Sequence, residues 1–399
     1  MLGAIYIGLS GMDAYSKGLQ TISNNVANLN TLGYKAQTVQ FADLFDEGGS
    51  GGLTYTGSSF ATQGGEGVRI GSSFTDFKQG DLNQTGNDLD LAIQGDGFLV
   101  LLNDGNTFYA RTGQFAVDKD GYVSEQGTGY RLGVLDSTGQ SATDVNINSK
   151  RTNPPAATTK VTFADNLSSS GTTATVSNIT VYDDRGGAHV WTATFNKSTD
   201  AGATDTWGVT VTDSNGSTVG TCTLKFIGST VDPTTATSTF TYTPDGADQM
   251  SVDFDFSSGV TSFSAGTTST LSATTDGNAE GELTKVSVDD KGHLQLTYSN
   301  SKTADLGAVA LADFRDPQQL KQESNGVFRN EGTGQMRLLS SGEEGIGTLV
   351  SGQLEASNVN LSQEFGDLIL IQRGFQACSQ VVSVSNDMIQ LLFGIRGQG

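Results

Sequence analysis

The residues able to do chemistry in this chain are few and scattered. A serine, threonine or cysteine nucleophile needs a base within hydrogen-bond reach, and the only histidines, His189 and His293, lie in strand-like or turn-like stretches with no companion motif. Cys222 and Cys378 are the only cysteines, too few for a disulfide framework, and no Cys/His cluster has the short spacing zinc requires. Asp118-Lys119-Asp120-Gly121 opens like a calcium loop, but the twelfth position, where a bidentate glutamate belongs, is Gly129. A turn is the better reading. Gly65–Gly71 (GEGVRIG) lacks the Lys-Ser/Thr ending of a phosphate loop and does not fit G-x-G-x-x-G. The acid pairs Asp183-Asp184 and Asp289-Asp290 could serve glycosidic chemistry, yet adjacent acids in a chain of net charge −21 are ordinarily turn residues on a solvated face. The sequence therefore predicts no catalytic residue, no cofactor and no metal, and a protein that is not an enzyme.

Charge narrows the partners. The 22 basic residues are outnumbered by 43 acidic ones, and the isoelectric point is near 4.3. Such a chain repels phosphate backbones and anionic lipid, so nucleic acid is excluded. No apolar run approaches the ~18 residues that span a bilayer, which excludes membrane insertion. The first basic residue is Lys17, and Gly3, Gly8, Ser10 and Gly11 interrupt the early apolar positions. The expectation is therefore export without a cleaved signal peptide. Glycine is abundant (52) and proline scarce (5) without a G-x-y period, which rules out collagen and proline-rich disorder.

The charge is also unevenly placed. Residues 1–30 balance Asp13 against Lys17, and residues 361–399 sum to −1, leaving −20 for residues 31–360. The nearly neutral ends can pack against copies of themselves while the acidic middle stays solvated. Both ends carry a seven-residue apolar repeat. Ile5, Met12, Leu19 and Val26 form one stripe, with Tyr15, Ile22 and Leu29 three positions further on. Leu361, Leu368, Phe375, Val382 and Ile389 form the other, with Ile371, Cys378 and Leu392 at the companion positions. These are helical a/d stripes, and we expect them to be polymer interfaces. Gly8, Gly11, Gly18 and Gly374 interrupt them, so neither helix should be stable alone.

Between the ends the pattern is β. Gly95–Leu102, Thr107–Arg111, Gly113–Val117 and Gly121–Ser124 are short strand-like runs separated by Asn103-Asp104-Gly105 and by Asp118–Gly121, which is hairpin chemistry. From about 154 to 277 the composition shifts to Thr, Ser and Gly with β-branched alternation, and Gly281–Asn300 makes a further hairpin. The expected fold is multidomain α+β. Terminal helices (1–30 and 361–399) form a coiled-coil inner domain. Two mainly antiparallel β domains are nested between them, an inner one (72–150 and 281–339) and an inserted outer one (151–280). Residues 31–71 and 340–360 are expected to be connectors, with 48–71 extended or mobile.

Several motifs in order resemble one family. Ser23–Lys35 (SNNVANLNTLGYK), with Asn24, Asn25, Asn28, Gly33, Tyr34 and Lys35, resembles the signature of bacterial flagellar rod and hook proteins. Phe41–Phe45 resembles its continuation in hook proteins, and Leu89–Gly113 is similar to the family's first β-domain motif. Leu354–Asn360, which contains Asn358, and Ile371–Arg396, which contains Gln372 and Arg373, resemble the shared C-terminal helix. The inserted β region, followed by Val309–Pro317, points to the hook member rather than the shorter rod proteins. A distal rod or other axial protein is the alternative within the family, and flagellin fits less well. An exported β-rich adhesin or polysaccharide-acting enzyme is the alternative from another class. The resemblance implies a structural subunit of the extracellular flagellar hook, a homopolymer that couples motor torque from rod to filament. It also implies contacts with distal rod, hook cap and hook–filament junction proteins, and passage through the type III export apparatus.

Overall fold

The computed structural model describes residues 2–43, 67–199, 205–244, 248–264, 266–332 and 335–396. Leu44 and Phe45 of the Phe41–Phe45 motif and residues 48–66 of the expected connector lie outside the described residues. Among the described residues the α-helices are α1 (Leu2–Ala27) and α2 (Leu361–Arg396), and the rest is strands, turns and short 3-10 segments. The chain divides into two compact units. One comprises residues 1–147, 286–295 and 305–399, the other 148–285 and 296–304.

In the first unit α1 and α2 pack along one another. Asn360 caps the start of α2, its side-chain oxygen accepting from the amides of Ser362 (3.0 Å) and Gln363 (3.3 Å) and so satisfying donors that no helical turn can reach. Within the stretch expected to be connector, β1 (Gln37–Asp43) and β2 (Val68–Thr75) pair antiparallel and lie against α1. Alternation in Val39 and Phe41, and in Val68 and Ile70, supports that ribbon. The large sheet of this unit includes Phe98–Asn103 and Asn106–Ala110, paired with Asn103 opposite Asn106. The two residues between them, Asp104 and Gly105, both have positive φ (47° and 79°), as a type I′ hairpin turn requires. Its core gathers Phe98, Val100, Tyr109, Leu320 and Phe328, with Phe98 edge-on to Phe77, Phe314 and Phe328.

The second unit holds a ten-stranded sheet. Strand Ala188–Lys197 buries Trp191, Ala193 and Phe195, and strand Thr206–Thr212 buries Trp207, Val209 and Val211. This is the period of two that puts one face of a strand into a core. Both tryptophans of the chain lie in that core, with Phe163, Phe254 and Phe256.

Candidate assembly interface

The helix pair is built around glycine. A Cβ added at Gly8 would lie 2.6 Å from a methyl of Val382, one at Gly11 2.6 Å from the sulfur of Cys378, and one at Gly18 2.8 Å from Ile371. On the other helix, a Cβ at Gly374 would run into the ring of Tyr15. The glycines that break the apolar stripes are thus the places where each helix accepts its partner's side chains. Ala14 and Ile22 are also buried on this face of α1.

The opposite side of α2 also carries large apolar residues. At 3.6 residues per turn, Ile371, Cys378 and Val382 share the side toward α1. Ile369, Val384, Met388 and Leu391 fall on the other side, where they are exposed together with Phe365, Leu370 and Val381. Exposed apolar residues in this number, set among Arg373, Gln376, Gln380 and Asp387, point to a further partner for that side. On α1, Tyr6, Ile7, Leu9 and Leu19 are exposed, while Asp13 and Lys17 pair across one helical turn at 3.1 Å. Of the seven-residue stripes, Val382 packs on Gly8. Ile5, Met12, Val26, Leu368 and Ile389 are half-buried, and Leu19, Leu361 and Phe375 are exposed.

Where the helices meet the β structure there is a polar joint. Asn25, buried near the end of α1, donates to the Gln37 carbonyl (2.8 Å) and to the Glu364 carboxylate of α2 (2.9 Å). Its own oxygen accepts from the Tyr34 hydroxyl (3.2 Å) and the Gln37 amide (3.0 Å). One asparagine thereby ties the exit of α1, the start of β1 and the first turn of α2. Burial, with the nearby Glu364 charge, pushes the Tyr34 phenol up. Burial also raises Glu364, against the lowering effect of the Asn25 hydrogen bond. Asn28 donates back to the Asn24 carbonyl (2.9 Å), and Gly33 turns the chain at φ 64°, its amide reaching the Glu355 carbonyl (2.9 Å).

Beneath this joint Lys35, Arg111 and Glu355 form a buried triad. Lys35 Nζ lies 2.6 Å from one Glu355 oxygen and Arg111 Nε 3.2 Å from the other. Lys35 also donates to the Lys78 carbonyl (2.7 Å) and Arg111 to the Gly95 carbonyl (2.6 Å). The Gly80 amide adds a third donor to Glu355 (2.8 Å). Burial lowers the Lys35 pKa and the Glu355 charge opposes the fall. Asn358 accepts from the Ala36 amide (2.8 Å) and donates to the Asp76 (2.7 Å) and Lys78 (2.9 Å) carbonyls. Thus Asn25, Gly33, Tyr34, Lys35 and Asn358 come together in one joint, whereas Gln372 and Arg373 lie exposed on α2. Arg111 and Glu355 carry the joint without having been singled out in the sequence.

Family models match three separate stretches. That for the flagella basal body rod protein covers residues 5–35, the flagellar hook protein FlgE/F/G D1 domain 92–166, and the flagellar basal body rod FlgEFG protein C-terminal region 350–394. The flagellar hook protein FlgE of Escherichia coli (strain K12) is 31% identical, the alignment covering 97% of this chain and 98% of that protein. This chain belongs to the flagellar hook protein family. FlgE of Borreliella burgdorferi is 28% identical over 99% of this chain and 100% of its own. Among solved structures, Helicobacter pylori flagellar hook protein FlgE2 aligns with 69% of this chain and 99% of its own, at a TM-score of 0.49 and 12% identity.

The family is one of structural flagellar proteins, not enzymes. In this hook protein each histidine sits beside an aspartate, His189 Nε2 2.9 Å from Asp183 and His293 Nδ1 2.7 Å from Asp305. Asp183 also accepts from the amides of Arg185 (2.9 Å) and Gly187 (2.7 Å) and so shapes a turn. Its hydrogen bond from His189 lowers its pKa. The Asp118 carboxylate likewise takes the amides of Asp120 (2.9 Å) and Tyr122 (2.8 Å), an Asx-type turn. Among the described residues no cluster of three or more metal-ligating side chains occurs, and no helix is long and apolar enough to cross a membrane.

Proposed function

We propose that the chain is the repeating subunit of the hook, polymerising into a curved tube that transmits motor torque from rod to filament. In this reading α1 and α2 form a coiled-coil inner layer of the tube, and the β structure forms the layers outside it. The layers are those expected from the sequence: terminal helices, an inner β domain over 72–150 and 281–339, and an inserted outer β domain over 151–280. The Asn25 joint turns the chain from one layer into the next. The distal rod, hook cap and hook–filament junction proteins are its end partners. The subunit reaches the cell exterior through the type III export apparatus without a cleaved signal peptide.

The observation that supports this reading is the second apolar face of α2. Large apolar side chains left exposed in such number mark an interaction site, and a nearly neutral helix pair on an otherwise acidic chain meets least repulsion from copies of itself. Ile369→Asp or Val384→Asp places a carboxylate on that face. In cells lacking their own hook subunit, the unaltered chain should restore curved hooks visible by electron microscopy, and neither variant should. Normal hooks from both variants would remove the face from the mechanism.

A further inference from the structure

If α2 packs against other copies, as the polymer reading has it, Arg373 needs a partner. Among residues of α2 with described side chains, Arg373 is the one cation; it is exposed and has no ion-pair partner among the described residues. It stands on the open side of α2, near Ile369 and Leu391 in helical phase. Once that side is covered by another copy, an unpaired guanidinium is costly, so the assembly has to supply a carboxylate.

A site among the described residues fits. A cleft of about 460 Å³ opens between α1, α2 and β1. Its apolar wall includes Ile22, Ile371 and the rings of Tyr15 and Phe41, whose centroids are 5.3 Å apart. Among the described residues Glu364, Asp367 and Asp76 line it, and no Lys or Arg does. Asp76 has Lys78 at 3.9 Å. Glu364, by contrast, is buried with an uncharged amide, Asn25, as its hydrogen-bond partner. Burial and the neighbouring Asp367 charge both raise its pKa, the mark of a carboxylate lacking a cation. We propose that the cleft receives the Arg373 guanidinium of a second copy of the chain, which pairs with Asp367 and Glu364.

Arginine suits such a site better than lysine would. Its planar group lies flat on aromatic rings and takes a carboxylate through two donors. The other acids of the two helices are less suited, because Asp13 is already paired with Lys17 and Asp387 stands on the open side of α2 with, among the described residues, no aromatic wall beside it to seat a guanidinium. Asp367 and Arg373 are six residues apart, about 9 Å along a helix axis. Neighbouring copies with near-parallel α2 helices would therefore be offset by about that distance.

The test is charge reversal in the full-length chain, with polymer formation followed by sedimentation and electron microscopy. Arg373→Glu and Asp367→Lys should each raise the critical concentration on the order of a hundredfold, because like charges then meet across the interface. The variant carrying both should recover tubes. Arg373→Glu combined with Asp387→Lys should not. The proposal is overturned if Arg373→Glu polymerises like the unaltered chain, if the first double variant shows no recovery, or if Asp387→Lys gives the rescue instead. An unaltered chain that stays monomeric overturns the polymer reading together with the pairing, whereas tubes that ignore Arg373→Glu overturn the pairing alone.

Discussion

Replacing Glu355 by glutamine removes the carboxylate shared by two buried cations. The side chains of Lys35 and Glu355 are 0% exposed and that of Arg111 is 3% exposed, so water cannot substitute for the lost charge. Breaking a buried pair by deleting one partner costs about 3–5 kcal/mol. A second route to the figure agrees. Lys35 can shed its proton, and deprotonating a lysine of ordinary pKa at pH 7 costs about 4–5 kcal/mol, which caps its share of the loss. Lys35→Met is the informative contrast. It leaves Arg111 and Glu355 as a one-to-one pair and forfeits mainly the contacts to Glu355 and to the Lys78 carbonyl, worth about 1–3 kcal/mol. Urea unfolding followed by far-ultraviolet circular dichroism measures both. In Glu355→Gln, Lys35 lacks its partner, so the folded state binds fewer protons than the unfolded state. Stability should then rise with pH until the unfolded lysine titrates near ~10. A Glu355→Gln variant that loses less than about 1 kcal/mol, or a Lys35→Met variant that loses as much as Glu355→Gln, would refute the triad as the lock of the joint.

Two further outcomes follow from the packing and the charges. Gly8→Val should push the helices apart, because a Cβ there already meets Val382 at 2.6 Å and the Cys378 carbonyl at 3.3 Å; overpacking of this kind costs about 1–3 kcal/mol and should appear as shortened or absent tubes by electron microscopy. In the second unit, burial alone would raise Asp255, but hydrogen bonds from Lys160 and Ser257 outweigh it and hold the pKa at about 2. That stabilisation is complete above the unfolded value of ~3.9 and is lost as pH falls from there through about 2. Tryptophan fluorescence, which reports only this unit, should show the acid sensitivity shrink in Lys160→Met.

The helices were legible at both ends because a seven-residue apolar repeat needs no distant information, and the turn at Asp104-Gly105 was legible for the same reason. The role of the glycines was not. Read locally, Gly8, Gly11 and Gly18 weaken a helix, and only the side chains of Val382, Cys378 and Ile371 on the partner helix turn them into contact points. Arg111 and Glu355 lie 244 residues apart in the chain, and no spacing rule joins them. The one available signal was the match of both termini to a single family, since Glu355 falls inside Leu354–Asn360 and Lys35 inside Ser23–Lys35. The β1–β2 ribbon was hidden because its strands are separated by residues 44–67, too long a gap for a hairpin signature.

The central claim is that the terminal helices are an assembly surface and not the private core of one chain. Amide hydrogen exchange, measured on the monomer and on the polymer, tests it most directly. A helix with internal glycines gains its stability from the partner that covers its apolar face. Residues 2–27 and 361–396 should therefore exchange rapidly in the monomer and become strongly protected in the tube. Strands such as Ala188–Lys197, whose core is complete within one chain, should change little. Helices already fully protected in the monomer, with protection on assembly gained only elsewhere, would contradict the account.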